Sequence, residues 1–178
     1  TVARAARTVV FPARFMLVGA MNLCPCGFLG DTARVCRCTP VQISKYHDRL
    51  SGPLRDRLDL TVEVPALPPE ALGSVEPGES SAAVRSRVAA ARDRQSARYE
   101  ADHVRTNAEL TARLMPAHAQ PNPAGLRVLS KAVSRLGLSA RGYDRIRKVA
   151  RTIADLAGHD DIGADEVAEA LQFRMIVR

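Results

Sequence analysis

The sequence predicts two parts, an α/β segment over residues 1–70 and an all-helical bundle over 79–178, joined by a linker over 71–78. Residues 15–21 form a continuous apolar run, which is typical of a central strand in a parallel sheet covered by helices. Residues 58–64 alternate apolar and polar side chains, as an edge strand does. Beyond the linker, which is rich in Pro and Gly, apolar residues recur at helical spacing.

The composition fits a helical core and allows a polyanionic partner. Only 4% of the 178 residues are aromatic and Trp is absent, so Ala, Val, Leu and Ile must fill the core. The formal net charge of +7 allows DNA, RNA or a nucleotide phosphate as a partner. Because the charge is spread along the chain, a solvated basic surface also explains it.

The compartment is predicted from what the sequence lacks. No apolar run is long enough to span a bilayer, and the N-terminal residues do not form a secretory signal. We therefore expect a cytoplasmic protein without membrane contact, where clustered cysteines act more often as ligands than as disulfides. The chain begins at Thr1 without a Met, so we expect a fragment of a longer protein.

The predicted core strands lead to Asn22. Residues 8–11 are expected to form a strand that ends at Pro12. The strand over 15–21 follows, and Asn22 comes directly after it. This is the carboxyl end of the strand, where open α/β sheets gather their ligands.

Capping signals mark the helices. Thr39 and Pro40 indicate an N-cap and a first helical residue for a helix over 41–46, which residues 51–53 interrupt before a short turn at 54–55. The bundle is expected to hold five helices: from Ser80 or Ser81 to about Tyr99, from an Asn107 cap to Pro116, from about Pro123 to Leu136 with a stop at Gly137, from a Ser139 cap to Gly158, and from about Ala164 to Phe173.

All four cysteines lie between the apolar run and the first helix, at Cys24, Cys26, Cys36 and Cys38. Two short pairs on facing turns can place four sulfurs around one tetrahedral Zn²⁺, although this spacing is tighter than in the usual knuckle. Such a site is structural, because the protein fills every coordination position. Unligated thiols or a redox pair are the alternatives. His47 would be a fifth ligand, so we expect a surface histidine there.

The motifs of a complete ATPase are absent from the sequence. It contains no G-x-x-x-x-G-K-[ST] phosphate loop and no apolar strand ending in adjacent acidic residues that could hold Mg²⁺. Asp165 and Glu166 lie at a helix start, where they favour the helix dipole. The chain alone is therefore not expected to hydrolyse ATP.

Six runs of the sequence form a recognisable set: VFPARFMLV at 10–18, AMNLCPCG at 20–27, CRCTP at 36–40, SGPLRDRLDL at 51–60, LSARGY at 138–143 and KVARTIADL at 148–156. Together they closely resemble the ComM (YifB) family of magnesium-chelatase-like AAA+ ATPases. The resemblance implies the C-terminal part of a longer protein. It would hold the end of a P-loop AAA+ core with a zinc-binding insert at 22–40 and then a helical lid domain, with the phosphate loop and the acidic motif upstream.

The resemblance implies roles for two residues of the core segment. Asn22 would be sensor 1, whose amide holds the attacking water near the γ-phosphate; the alternative is a cap of the turn into the cysteines. The family usually has Pro after this Asn, where this chain has Leu23, which loosens the turn and keeps the amide. Arg57 would be the arginine finger that reaches a neighbouring subunit's nucleotide, with Arg55 and Arg49 as competing candidates.

Three further arginines have implied roles. Arg141 would be sensor 2, which links the lid to the nucleotide in cis or in trans; the alternative is a solvated first-turn arginine. Arg4 and Arg7 would lie on the trailing arm of a hairpin that points into the pore of the ring, in reach of DNA.

Three functional hypotheses follow. In the first, implied by the resemblance, the intact protein binds ATP and Mg²⁺, forms a ring, expected to be a hexamer, and acts on DNA as a helicase or branch-migration motor in DNA uptake and recombination. The second is a zinc-stabilised module that binds nucleic acid or protein without enzymatic activity. The third, a magnesium chelatase ATPase subunit that inserts Mg²⁺ into a porphyrin, is disfavoured because the four cysteines indicate the ComM branch.

Overall fold

The computed structural model describes residues 2–4, 7–11, 15–31, 33–65 and 78–174. The chain divides into two compact units, Thr1–His47 and Asp48–Arg178. The predicted linker over 71–78 lies outside the described residues except for Gly78.

In its described residues, the first unit has one antiparallel pair of strands and one helix. Strand β1 (Val2–Arg4) pairs antiparallel with β2 (Arg7–Val9), which overlaps the strand predicted over 8–11. Helix α1 (Pro40–His47) begins where its capping signal predicted. The Thr39 N–H donates to Gln42 Oε1 at 2.9 Å, and the Gln42 N–H donates to Thr39 Oγ1 at 3.3 Å. This reciprocal pair satisfies two N–H groups at the helix start.

The two longer strands predicted from the sequence are wrong in the described structure. Residues 15–21 have no regular secondary structure, and Met16 and Val18 are each 84% exposed. Residues 58–64 also form no strand. A strand requires a neighbour that takes up its N–H and C=O groups, and within the described ranges β1 and β2 are the only strands that pair. The apolar patterns therefore remain without a sheet to join.

The second unit is helical. Its elements are α2 (Gly52–Arg55), α3 (Ser81–Arg98), a 3₁₀ turn (Asn107–Glu109), α4 (Met115–His118), α5 (Pro123–Leu136), α6 (Ala140–Ala157) and α7 (Ala164–Gln172). The predicted bounds of α3, α5, α6 and α7 are confirmed to within about two residues, which is the ordinary uncertainty of a helix end.

Local caps explain why these bounds are readable from the sequence. The Ser80 and Ser139 hydroxyls accept backbone N–H groups from the first turns of α3 and α6. The carboxyl ends of α5 and α6 are closed by Gly137 and Gly158 in the left-handed conformation, with φ of 61° and 79°.

The helix predicted from Asn107 to Pro116 is wrong, because Asn107 is a buried hydrogen-bonding group and not an exposed cap. Its Oδ1 accepts from the Tyr99 hydroxyl at 2.5 Å, and its Nδ2 donates to Thr152 Oγ1 and to Asp155 Oδ2, each at 2.9 Å. Asparagine competes with the backbone for hydrogen bonds. The chain here turns inward as a short 3₁₀ turn before α4.

The apolar core of the second unit lies where α5, α6 and α7 pack together. Leu129, Ile146 and Val167 come from these three helices and are at most 1% exposed, and Tyr99 and Met115 close the core from outside them. Burial of each of these side chains contributes on the order of 2 kcal/mol.

A buried ionic cluster lies beside this core and is centred on Asp155, which is 2% exposed. Arg98 donates to both carboxylate oxygens, Asn107 donates to one of them, and the Arg151 Nε lies 3.2 Å from Oδ1. Burial alone would raise the pKa of Asp155, but the hydrogen bonds from Arg98 and Asn107 and the charge of Arg151 outweigh it and lower the pKa. Asp155 is therefore ionised at neutral pH and ties α3 and the 3₁₀ turn to α6.

Removing this carboxylate is expected to destabilise the helical unit by about 3–5 kcal/mol, because Asp155→Ala leaves the buried Arg151 and the half-buried Arg98 without their carboxylate partner. Chemical denaturation of the 178-residue chain, followed by circular dichroism, measures the change. Asp93→Ala is the matched control, since Asp93 is exposed on α3 and its loss should cost less than about 0.5 kcal/mol. Equal effects of the two variants would contradict the assigned role of Asp155.

Acid is expected to unfold this unit through Asp155 and Glu166. The pKa of Glu166 is also lowered: desolvation opposes the shift, but His159 and the N–H of Gly163 outweigh it. A lowered folded pKa adds stability that is present above the unfolded pKa of about 4 and is lost as pH falls through the folded value. The thermal midpoint should therefore stay level from pH 7 to about pH 5 and fall below about pH 4. A midpoint that rises on acidification would contradict this.

Candidate functional site

The four cysteine sulfurs form a cluster in the first unit, with all four Sγ atoms within 4.8 Å of one another. The measured separations are 3.4 Å for Cys24–Cys26, 3.6 Å for Cys26–Cys36 and 3.7 Å for Cys36–Cys24. Four sulfurs at about 2.3 Å from a common Zn²⁺ centre would lie roughly 3.8 Å apart. The cysteines are free thiols, and their spacing fits a tetrahedral metal ion.

The backbone around this cluster is folded by a tight turn. The Gly27 N–H donates to the Cys24 carbonyl at 3.1 Å, and Gly27 has a φ of 82°, which few other residues adopt. On the far side, the His47 Nε2 lies 2.9 Å from the Leu23 carbonyl oxygen, to which it donates. His47 is half-buried and holds α1 against the turn through a backbone carbonyl, without contact to a sulfur.

Within the cluster, Cys26 and Cys38 have very different pKa values. Hydrogen bonds from the backbone of Phe28 and of Arg37 lower the pKa of Cys26 to about 6. The backbone of Cys26 would lower the pKa of Cys38, but desolvation and the neighbouring sulfurs raise it to about 12. Thiolates this close repel one another, so the set can ionise fully only beside a cation.

A shallow cleft of about 400 Å³ opens beside Cys26. It is lined by Phe28, Arg34, Val35 and Arg37, and the Arg34 guanidinium lies 5.1 Å from the centre of the Phe28 ring. The sequence analysis missed this arrangement, because cation–π pairs leave no spacing signal in a loop.

Asn22 is exposed and belongs to the same turn. A Cβ added to Gly27 would lie 3.5 Å from Asn22 Nδ2, so the amide sits over the glycine. Its predicted position at a strand tip is wrong in the described structure, where residues 15–21 form no strand. The amide nevertheless remains accessible from solvent.

Arg57 lies in the second unit, just after α2. Its side chain is exposed, and its Nη1 donates to the Pro53 carbonyl at 3.0 Å, which leaves most of its donors directed at solvent. The competing candidate Arg55 is half-buried. Exposure therefore favours Arg57 over Arg55 as a group that reaches another molecule.

Arg141 is exposed in the first turn of α6. The Ser139 hydroxyl at this helix start accepts the Gly142 N–H at 3.1 Å and donates to Asp56 Oδ2, also at 3.1 Å. Because Asp56 directly precedes Arg57, the structure brings the segments of the two predicted site arginines together.

Two further contacts complete this junction. The Arg145 guanidinium forms an ion pair with Asp59, and the Thr61 N–H donates to the Phe173 carbonyl at 3.0 Å. The sequence analysis missed the junction. Its only signal is a pair of acidic residues flanking Arg57 and a basic residue four positions after Arg141.

Arg4 and Arg7 face each other across the hairpin, as directly paired residues of β1 and β2, and both are exposed. Like charges in opposite positions destabilise a strand pair. An anion bound between them would relieve that repulsion.

No helix in the described part of the chain has the length and apolar character needed to cross a membrane.

Comparison with known proteins places these features in a family. The protein-family model described as magnesium chelatase, subunit ChlI, matches residues 1–72. The family model for the C-terminal part of the same subunit matches residues 78–174. The competence protein ComM of Haemophilus influenzae is 43% identical over 178 residues, covering 99% of this chain and 34% of the relative. YifB of Escherichia coli is 42% identical over 171 residues, covering 96% of this chain and 33% of the relative.

The chain therefore spans about a third of the length of these relatives. The C-terminal family model alone matches more than half of the chain. The chain belongs to the magnesium chelatase subunit ChlI family, in its ComM (YifB) group.

Proposed function

We propose that this chain supplies the end of the core and the helical lid of a ring-forming AAA+ ATPase, with core residues 1–70, linker 71–78 and lid 79–178. The observation that carries the proposal is the junction of residues 56–61 with the start of α6, which gathers two exposed arginines on one unit of a chain from this family. Exposed arginines at a subunit edge can stabilise the charge that develops on the phosphoryl group as it is transferred to water in a neighbouring subunit's active site.

Each polar residue has a distinct task in this mechanism. Asn22, as sensor 1, orients the attacking water through a neutral amide, which adds no charge of its own. Arg57, as the finger, offers its exposed guanidinium to the charge that develops on the transferring phosphoryl group of the neighbouring subunit. Arg141, as sensor 2, couples the first turn of α6 to the nucleotide phosphates. ATP and Mg²⁺ bind in the remainder of the intact protein.

The cysteine cluster is proposed as a structural Zn²⁺ site in an insert at 22–40. Cys24, Cys26, Cys36 and Cys38 would hold the ion, which supplies no catalysis there because all four positions are filled by protein. Its task is to fix the turn that carries Asn22, whose amide lies over Gly27.

DNA is proposed as the substrate of the intact motor, a hexameric helicase or branch-migration enzyme. The support is the name of the Haemophilus influenzae relative, a competence protein, together with the net charge of +7 and the opposed pair Arg4 and Arg7. Phosphate contacts from these arginines would be independent of sequence and sensitive to salt.

The finger assignment predicts that Arg57→Ala in the full-length protein lowers kcat for ATP hydrolysis by about 10³-fold or more, because the lost charge acts on the transition state. ATP affinity should change by less than about twofold. Steady-state phosphate release and equilibrium nucleotide binding measure the two effects. Arg55→Ala is the control and should retain most of the activity. If Arg57→Ala hydrolyses ATP normally and Arg55→Ala does not, then Arg55 and not Arg57 is the arginine finger.

The metal proposal predicts about one zinc per chain by elemental analysis of protein purified without chelator. Cys24→Ser should bring the content below about half an equivalent, since Cys24 is fully buried at the centre of the cluster. His47→Gln is the matched control and should retain the metal, because the His47 ring contacts a backbone carbonyl and no sulfur. Zinc below about half an equivalent in the unmodified chain would sink the proposal.

A further inference from the structure

The segment that carries Arg57 is bonded to the lid helices on both sides of the arginine. Asp56 precedes it and contacts Ser139, while Asp59 follows it and contacts Arg145. The Thr61 N–H then bonds to the end of the bundle. The finger is therefore enclosed between two side-chain contacts to one helix, α6, within about one turn of Arg141.

The Ser139 hydroxyl serves both sides of this junction at once. As an acceptor it caps α6 through the Gly142 N–H, and as a donor it holds the Asp56 carboxylate. A hydroxyl can donate one hydrogen bond and accept others through its lone pairs, so Ser139 forms both bonds at the same time. The position of Asp56 is thereby tied to the first turn of the helix itself.

The contact between Asp59 and Arg145 adds little stability, but it fixes the direction of the segment that follows Arg57. Asp59 is 60% exposed, and exposed ion pairs contribute little to folding. Arg174 lies close enough for the charges of Asp56 and Asp59 to act on it, and its Nε and Nη2 are buried without a hydrogen-bond partner among the described residues. Two carboxylates therefore face cationic groups from both α6 and the end of the bundle.

We propose that Asp56, Asp59, Ser139 and Arg145 are positioning residues that lock the finger segment to α6, so that a rotation of the lid moves Arg57 with it. The inference rests on the proposed ATPase function. It assigns to the junction the mechanical coupling between the lid and the finger. The residues act through Arg57 and are not catalytic themselves.

The reason for such a lock is the shortness of α2. That helix has four residues and cannot hold a long side chain in place alone. Misplacing a catalytic group by about 1 Å can cost on the order of 10²-fold in rate. Helix α6 has 18 residues and is packed into the core, so it can provide the rigidity that α2 lacks.

Two matched pairs of variants in the full-length protein test the lock. Ser139→Asp keeps the helix cap but removes the donor and places a negative charge beside Asp56, whereas Ser139→Asn can both cap and donate. Arg145→Gln removes the charge that Asp59 meets, whereas Arg145→Lys keeps it.

The two variants that remove a contact, Ser139→Asp and Arg145→Gln, should lower kcat on the order of 10²-fold, with KM for ATP changed by less than about twofold. The conservative partners should recover most of that loss. In a double-mutant cycle, Asp59→Asn combined with Arg145→Gln should be no slower than Arg145→Gln alone, because both remove the same contact. Arg87→Gln, which breaks the exposed pair between Arg87 on α3 and Glu79 just before it, should leave kcat unchanged.

The outcomes separate the two proposals. An unmodified full-length protein that hydrolyses no ATP overturns the proposed function. Hydrolysis by the unmodified protein, together with normal kcat in Ser139→Asp and Arg145→Gln, overturns the lock alone. A loss that the conservative variants share, or that follows a lowered thermal midpoint, shows a structural role and also overturns it. If either Arg145 variant fails to fold, the capped Ser139 pair decides the question.

Discussion

The buried carboxylate of Asp155 is the group on which the helical unit depends. Two guanidinium groups from different helices converge on it, and one of them, Arg151, also donates to the His159 and Asp160 carbonyls in the loop before α7. Removing one partner of a buried ion pair leaves an uncompensated charge, which is strongly destabilising. The cluster therefore sets the mutual placement of α3, α6 and the loop into α7, beyond what the apolar core requires.

That rigidity extends to the proposed catalytic edge. The same helix, α6, carries Asp155 near its end and Ser139, Arg141 and Arg145 at its start. Helix α2, which precedes Arg57, has no buried residue, and the segment's side-chain contact is to the start of α6. A long helix anchored in the core at one end can thus present and orient groups at the other without a dedicated local core.

The helices could be predicted from the sequence because their signals are local. Ser80, Ser139, Gly137 and Gly158 act within one turn of themselves, so their residue types suffice. The strands could not be predicted in the same way. The apolar run at 15–21 indicates that this segment could join a β-sheet, but strand pairing depends on a partner strand elsewhere in the structure. Asn107 failed for a related reason, since its side chain bonds to residues 45 and 48 positions away.

The same difference between local and distant signals applies to the candidate site. The cysteine cluster could be predicted because thiolates are common metal ligands, and two short Cys pairs are visible in the sequence itself. The junction between residues 56–61 and α6 could not, because it uses an ordinary serine and ordinary charges separated by 83 to 86 positions. In this chain the cysteines of the proposed zinc site are conspicuous in the sequence, while the residues that contact the segment of Arg57 are not. A search for function by motif alone would find the cysteines and miss those contacts.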